Sequence, residues 1–176
     1  MFNQVRPPMY DQASVQPMRD ELISVGFREL KTPEEVESTI KRNDDKVVLA
    51  VVNSVCGCAA GSARPGVSLA LQNSVIPDDV VTVFAGQERD AVDTLRSYIK
   101  EAPSSPSMAL FKNGEPIYYM PRYEIEGRSA DQIAELLVKV FNHFCSAKGP
   151  SVAPEVFAKL DHVQACGSKI PLFNIQ

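Results

Sequence analysis

The residues best suited to chemistry lie in one short segment, where Cys56 and Cys58 flank a single glycine, Gly57. Free cysteine has a pKa of about 8.5, and only its thiolate attacks disulfides. A cysteine at the start of a helix faces unpaired backbone N–H groups and the positive end of the helix dipole, and both favour the thiolate. This placement predicts thiol–disulfide exchange, with Cys56 as the nucleophile and Cys58 as the assisting or resolving thiol.

The one-residue spacing limits the disulfide that these two cysteines can form. Such a small ring is strained, and a strained disulfide is easier to reduce than a relaxed one. We expect Gly57 to supply backbone angles that larger residues resist. The pair is therefore predicted either to be an oxidising dithiol couple or to work mainly through one thiol with the second assisting.

Other interpretations of the cysteines stay open at this point. Both could be small buried residues, or they could bind zinc with Cys145, Cys166, His143 or His162 completing the set. The Cys-x-Cys spacing is shorter than is usual for zinc, and no second close pair supports it. A thiolate metal-binding or metal-delivery protein is thus the alternative from another functional class. Taken singly, Cys145 is interpreted as a buried inert thiol, Cys166 as exposed, and both histidines as surface residues.

The segments around the pair indicate an α/β fold. Residues 46–55, KVVLAVVNSV, form an apolar run typical of a central strand that is covered on both faces. Residues 59–75 are predicted to be a helix that Pro65-Gly66 kinks. Strands and helices alternate along the chain, which predicts a mixed sheet with helices on both faces. The thiols then follow the carboxyl end of a central strand, where open α/β sheets place their chemistry.

Local signals predict several element boundaries. Thr32 with Glu35, and Ser129 with Gln132, have the spacing of capping boxes at helix starts. Asn113-Gly114 predicts a hairpin between two apolar runs. Together these signals divide the chain into an N-terminal arm (1–13), an α/β domain (14–145) that begins with an extra helix, and a C-terminal extension (146–176).

Composition and charge limit the classes of partner that the protein is expected to bind. The 176 residues carry a net charge of −4. The chain has no basic run interleaved with aromatic residues, which is the pattern that would predict nucleic-acid binding. The longest apolar run, residues 47–52, is too short to span a membrane. The N-terminus has no apolar segment typical of a signal peptide. We therefore expect a cytoplasmic protein, in a compartment that keeps thiols reduced.

The element order and the segment SPSMALFKNGEPI (105–117) resemble the thioredoxin fold. In that superfamily a cis-proline precedes the terminal hairpin and lies against the active-site thiol. The resemblance implies a cis bond between Ser105 and Pro106, with the Ser105 backbone available to pair with an extended substrate. It also implies that the loop at Gly127 lies near the site. Val55 stands where thioredoxins have tryptophan, which the chain lacks.

A narrower resemblance connects the chain with the bacilliredoxins, through MYDQ (9–12), CGCAAGSARPG (56–66) and RYEIEGRSADQIAELL (122–137). It implies reduction of mixed disulfides between client proteins and bacillithiol, a glucosamine–malate–cysteine thiol that acts as co-substrate, with no bound cofactor. Protein disulfide isomerase activity at the same site is the alternative. Arg64 is a candidate to hold the thiolate or to bind the malate carboxylates, or else is a solvated surface arginine.

Overall fold

A computed structural model of the chain describes residues 5–164. Its strands are β1 (Arg28–Glu29), β2 (Val47–Asn53), β3 (Val75–Ile76), β4 (Asp79–Phe84), β5 (Ser107–Lys112), β6 (Glu115–Met120) and β7 (Ala147–Lys148). Five of them form a mixed sheet in the order β1-β4-β2-β5-β6. The first three strands of this order are parallel, and β5 and β6 complete the sheet as an antiparallel hairpin.

Helices cover both faces of this sheet. They are α1 (Gln12–Ile23), α2 (Pro33–Ile40), α3 (Arg64–Ala70), α4 (Arg89–Ile99), α5 (Arg122–Ile125), α6 (Ala130–Phe144), α7 (Pro154–Phe157) and α8 (Asp161–Gln164). One hydrophobic cluster includes side chains of α1, α3 and α6, and the other includes side chains of α2 and α4. Among the residues described, no helix is long and apolar enough to cross a membrane.

The position of β2 explains its composition. All seven of its residues are buried. Val47, Leu49 and Val51 belong to one apolar cluster, and the residues between them belong to the other. Because successive side chains of a strand point to opposite faces, a strand buried on both sides must be apolar throughout. The predicted central strand is confirmed.

The local signals give the boundaries expected of them. Thr32 and Ser129 each cap a helix and form the predicted capping box with the residue three positions later. Asn113 and Gly114 have φ angles of 50° and 81°, which a tight hairpin turn requires. Helix α1 begins at Gln12, two residues before the predicted start, because Asp11 accepts the hydrogen bond of the cap.

The segment after the thiols departs from a simple kinked helix. Residues Ala59–Ala63 form one π-helical turn, which we call the π turn, and α3 continues directly from it. Pro65 lies in the first turn of α3, and because helical backbone precedes it, its ring and its missing backbone N–H disfavour regular α-helical geometry in the turn before it. The predicted irregularity is therefore present, but it is a π turn in the residues before Pro65-Gly66 and not a kink at these two residues.

Part of the C-terminal extension packs against the α/β domain. Strand β7 pairs with β3 in a separate two-stranded sheet, and Gly149–Pro150 is a second cis peptide. Ser151 Oγ donates a hydrogen bond to the carbonyl of Val25 at 2.7 Å. Two short helices, α7 and α8, follow in the described part of the extension. The strand order and the cis Ser105–Pro106 bond ahead of β5 are those of the thioredoxin fold, as predicted.

Candidate active site

Cys56 and Cys58 lie where β2 ends and the π turn begins. The carbonyl of Cys56 accepts hydrogen bonds from the N–H groups of Ala59 and Ala60, at 3.1 and 3.2 Å. Both thiols are free and partly exposed, and their sulfurs are 2.8 Å apart. At this distance one thiol donates a hydrogen bond to the other sulfur.

The surroundings of Cys56 favour its ionised form. Burial is the largest single influence and raises its pKa, but several interactions outweigh burial and lower the pKa below the usual value. They are hydrogen bonds from the Cys58 thiol, from Ser54 Oγ at 3.1 Å and from the Ala59 backbone N–H, together with the positive charge of Arg122. Hydrogen bonds to the charged form favour that form, so Cys56 is the more acidic thiol.

Cys58 is affected in the opposite direction. Burial raises its pKa, and the hydrogen bond to Cys56 and the negative charge on that sulfur raise it further. Cys56 therefore ionises before Cys58, and when the pair shares one proton that proton stays on Cys58. A more acidic thiol beside a second thiol suits thiol–disulfide exchange, in which a thiolate attacks a disulfide sulfur.

Gly57 does not have the special backbone geometry that we expected. Its φ angle is not positive, and a Cβ placed there would meet no heavy atom within 4 Å. Gly57 and Cys58 already belong to the first helical turn, and a helical backbone does not require glycine. In the reduced protein, therefore, this position does not demand glycine.

Below the thiols, a buried arginine joins the end of β2 to α1. Arg64 is 2% exposed, and its Nε pairs with Glu21 Oε2 at 2.5 Å. Its Nη1 donates to Asn53 Oδ1 at 3.1 Å and to the carbonyl of Ser54 at 2.9 Å. The prediction that Arg64 meets a substrate carboxylate is not supported, because its guanidinium is already paired and lies inside the protein. Arg64 instead positions the backbone that leads into Cys56.

The cis-proline loop lies at the same edge of the sheet. Ser107 pairs with Val52 at the carboxyl end of β2, so Ser105 and Pro106 extend beyond that end beside the thiol segment. The carbonyl of Ser105, which we expected to be available to a substrate, accepts a hydrogen bond from Arg122 Nη1 at 3.3 Å. That side of the Ser105 backbone is therefore engaged in the unliganded protein.

Arg122 is the residue that sequence reasoning missed. It stands two positions after β6 and its positive charge acts on both sulfurs. Nothing in its sequence spacing from Cys56 signals this, because the sheet alone brings them together. Gly127, which we expect near the site, is exposed and has a φ of 77°. The carbonyl of the next residue, Arg128, accepts a hydrogen bond from Ser62 Oγ of the π turn at 2.6 Å.

The remaining titratable residues stand apart from the thiol pair. Cys145 is half-buried against the core, and burial raises its pKa to about 12, which fits the inert thiol that we predicted. His162 is half-buried against Ser68 Oγ at 3.0 Å, so the prediction of a surface histidine is wrong. Within residues 5–164 no three potential metal ligands converge. Cys166 lies outside the described residues.

A thioredoxin fold with a reduced thiol pair at the end of its central strand defines a thioredoxin-like redox protein. The family model described as disulphide isomerase matches residues 10–145. A bacilliredoxin of Salinibacter ruber is 46% identical over 143 residues, which cover 80% of this chain and 84% of that protein. A bacilliredoxin of Cytophaga hutchinsonii is 47% identical over 135 residues, or 76% and 98% of the two chains. The chain therefore belongs to the bacilliredoxin family.

One solved structure completes the comparison. Mitochondrial thioredoxin 3 from Saccharomyces cerevisiae has a TM-score of 0.45 at 19% identity, covering 68% of this chain and 97% of that one. Family membership and the thiol pair together make this protein a thiol–disulfide oxidoreductase in the general sense.

Proposed function

We propose that this protein reduces mixed disulfides between client-protein cysteines and bacillithiol, with Cys56 as the nucleophile. The observation that carries the proposal is the hydrogen-bonded sulfur pair, in which Cys56 has a lowered pKa and Cys58 a raised one. The bacilliredoxin relatives support the choice of bacillithiol as the thiol. The proposal places the protein in the cytoplasm, where client thiols are kept reduced.

The first step is a direct exchange of sulfur partners. The Cys56 thiolate attacks the bacillithiol sulfur of the mixed disulfide, and a new bond forms between these two sulfurs. The bond from bacillithiol to the client breaks, and the client cysteine leaves as a thiolate that takes a proton from water. One disulfide replaces another, so no external oxidant or reductant is consumed.

Cys58 or a second thiol then removes bacillithiol from Cys56. When Cys58 loses its proton and attacks the Cys56 sulfur, bacillithiol leaves as a thiol and a Cys56–Cys58 disulfide remains, which two further thiol molecules or one dithiol must reduce before Cys56 can act again. When a free bacillithiol attacks the bound one, bacillithiol disulfide leaves and Cys56 returns as a thiolate. The raised pKa of Cys58, caused by burial and by the neighbouring Cys56, keeps this sulfur protonated during the first step.

The test uses a client protein that carries bacillithiol on one cysteine. Release of bacillithiol is followed by mass spectrometry with the wild type, Cys56→Ser, Cys58→Ala and the matched control Cys145→Ser. We expect no activity in the first variant, partial activity in the second and full activity in the control. Activity that survives in Cys56→Ser and disappears in Cys58→Ala would reverse the two roles.

Protein disulfide isomerase activity is the second candidate, because the matching family model carries that description. The same two cysteines would serve it, and the substrate alone differs. Recovery of native activity from a scrambled disulfide-bonded protein measures isomerisation, while bacillithiol release measures the first proposal. The faster of the two reactions at equal enzyme concentration decides between them.

A further inference from the structure

Three strand ends converge beside the thiols and bring Arg122 to them. Strand β2 ends at Asn53, β5 begins opposite it with Ser107 paired to Val52, and β6 ends with Met120 paired to Met108. Arg122 follows two residues after Met120, and its backbone N–H donates to Ser104 Oγ at 2.7 Å. The backbone of Arg122 is thus fixed against the cis-proline loop.

The Arg122 guanidinium is held at the site but is not enclosed by it. Its side chain is 45% exposed, with Nε bound to Glu126 at 2.5 Å and Nη1 bound to the Ser105 carbonyl at 3.3 Å. Within the part of the chain that the structure describes, no hydrogen bond uses Nη2. Arg122 therefore presents a free donor and a positive charge to solvent next to the sulfurs, which the buried Arg64 does not.

We propose that Arg122 binds a carboxylate of the low-molecular-weight thiol in the mixed disulfide, an inference that rests on the proposed function. A guanidinium presents paired N–H donors that match the geometry of a carboxylate, and such charge-assisted hydrogen bonds are strong. The ion pair with Glu126 is exposed on both sides, at 45% and 50%, and exposed pairs of this kind are weak enough to exchange partners.

This binding would orient the small thiol for attack. The malate part of bacillithiol carries carboxylates, and its cysteine part carries the sulfur that Cys56 attacks. A carboxylate held by Arg122 would leave that sulfur facing Cys56 and the client sulfur facing outward as the leaving group. Arg122 would then select which of the two sulfurs is attacked as well as which thiol is accepted.

The experiment compares one client protein carrying, in turn, bacillithiol, glutathione and cysteamine, of which only cysteamine lacks a carboxylate. The enzymes are the wild type, Arg122→Gln, Arg122→Lys and Arg28→Gln. Arg28 is a matched control, since it is also exposed, at 53%, and pairs with Asp79 at the opposite edge of the sheet. KM and kcat are measured together with the alkylation rate of Cys56.

For Arg122→Gln we expect kcat/KM to fall about tenfold or more with the carboxylated thiols, mainly through KM. We expect a much smaller change with cysteamine, which reports only the lost charge beside Cys56. Arg122→Lys keeps that charge and the alkylation rate but loses the paired donors, so it should lose part of the selectivity. Arg28→Gln should match the wild type throughout.

Equal losses with carboxylated and uncarboxylated thiols would overturn the inference and leave Arg122 with an effect on Cys56 ionisation alone. The two proposals fail in different ways. Wild-type protein that does not release bacillithiol contradicts the proposed function, and the ratio of glutathione to cysteamine rates still decides whether Arg122 binds a carboxylate.

Discussion

The hydroxyl of Ser54 contacts Cys56 twice, donating to its sulfur at 3.1 Å and accepting from its backbone N–H at 3.4 Å. Ser54 is itself buried, and its carbonyl is held by Arg64. The sulfur of the proposed nucleophile is therefore connected to the end of β2 through one side chain. These contacts fix the position of the Cys56 sulfur relative to the end of the central strand.

Replacing Ser54 should weaken the nucleophile without unfolding the protein. Ser54→Ala removes one of the hydrogen bonds that lower the pKa of Cys56, so the alkylation rate at pH 7 should fall several-fold. Ser54→Thr keeps the hydroxyl and is the control. The rate is measured with iodoacetamide across pH 5 to 10 in a Cys58→Ala, Cys145→Ala, Cys166→Ala background. An unchanged pH profile in Ser54→Ala would show that this hydrogen bond does not act on the thiolate.

Replacing Gly57 should separate the two possible modes of the thiol pair. Gly57→Ala meets no neighbour within 4 Å, so the reduced protein should be as stable as the wild type or more stable by up to about 1 kcal/mol. If glycine serves only the strained ring, the intramolecular disulfide should form less readily while bacillithiol release continues. Free-thiol counts after mild oxidant measure the first quantity. A destabilised reduced variant would mean that glycine is needed before any disulfide forms.

Breaking the buried ion pair should cost far more than breaking an exposed one. Arg64→Met leaves Glu21 and the Ser54 carbonyl without their arginine partner and removes one of the two hydrogen bonds to Asn53 Oδ1, and we expect a loss of about 3 kcal/mol in the free energy of unfolding. Arg28→Gln should change it by less than about 0.5 kcal/mol. Urea denaturation at pH 7 measures both. Adding Glu21→Gln to Arg64→Met should recover part of the loss, and a further loss would contradict this account.

Cys145 should make the folded protein sensitive to alkaline pH. Burial raises the pKa of Cys145 to about 12, whereas in the unfolded chain the thiol ionises near the free value of about 8.5. Above that lower value the unfolded state binds fewer protons, so stability falls as pH rises. Between pH 8 and pH 10 the wild type should lose about 1–2 kcal/mol more than Cys145→Ala. Parallel losses in the two proteins would assign the thiol an ordinary pKa in the fold.

The features that could be predicted from sequence are those set by neighbouring residues. The capping boxes at Thr32 and Ser129 and the turn at Asn113-Gly114 depend on side chains three or fewer positions away, and the structure confirms them. The unbroken apolar composition of β2 predicts a buried central strand, as the structure confirms. The cis bond at Pro106 followed from the resemblance to thioredoxins, and the structure contains it.

The features that could not be predicted depend on contacts between distant segments. Strands β3 and β7 are two residues each and pair Val75 with Lys148, which no local pattern signals. The two arginines show the same limit. Arg64 is close to the thiols in sequence, but its guanidinium lies inside the protein and pairs with Glu21 of α1. Arg122 is far from them in sequence, and the pairing of β5 with β6 places it beside the sulfurs.

The π turn has a consequence for how this protein tolerates variation. One residue added to an α-helix rotates everything beyond it by about 100°, and a π turn absorbs such an insertion within a single wide loop of backbone. Val67, Ala70 and Leu71 keep their inward orientation in spite of it. The π turn lies between the thiol segment and the core-facing residues of α3, so the inserted residue that it accommodates does not rotate those residues out of the core.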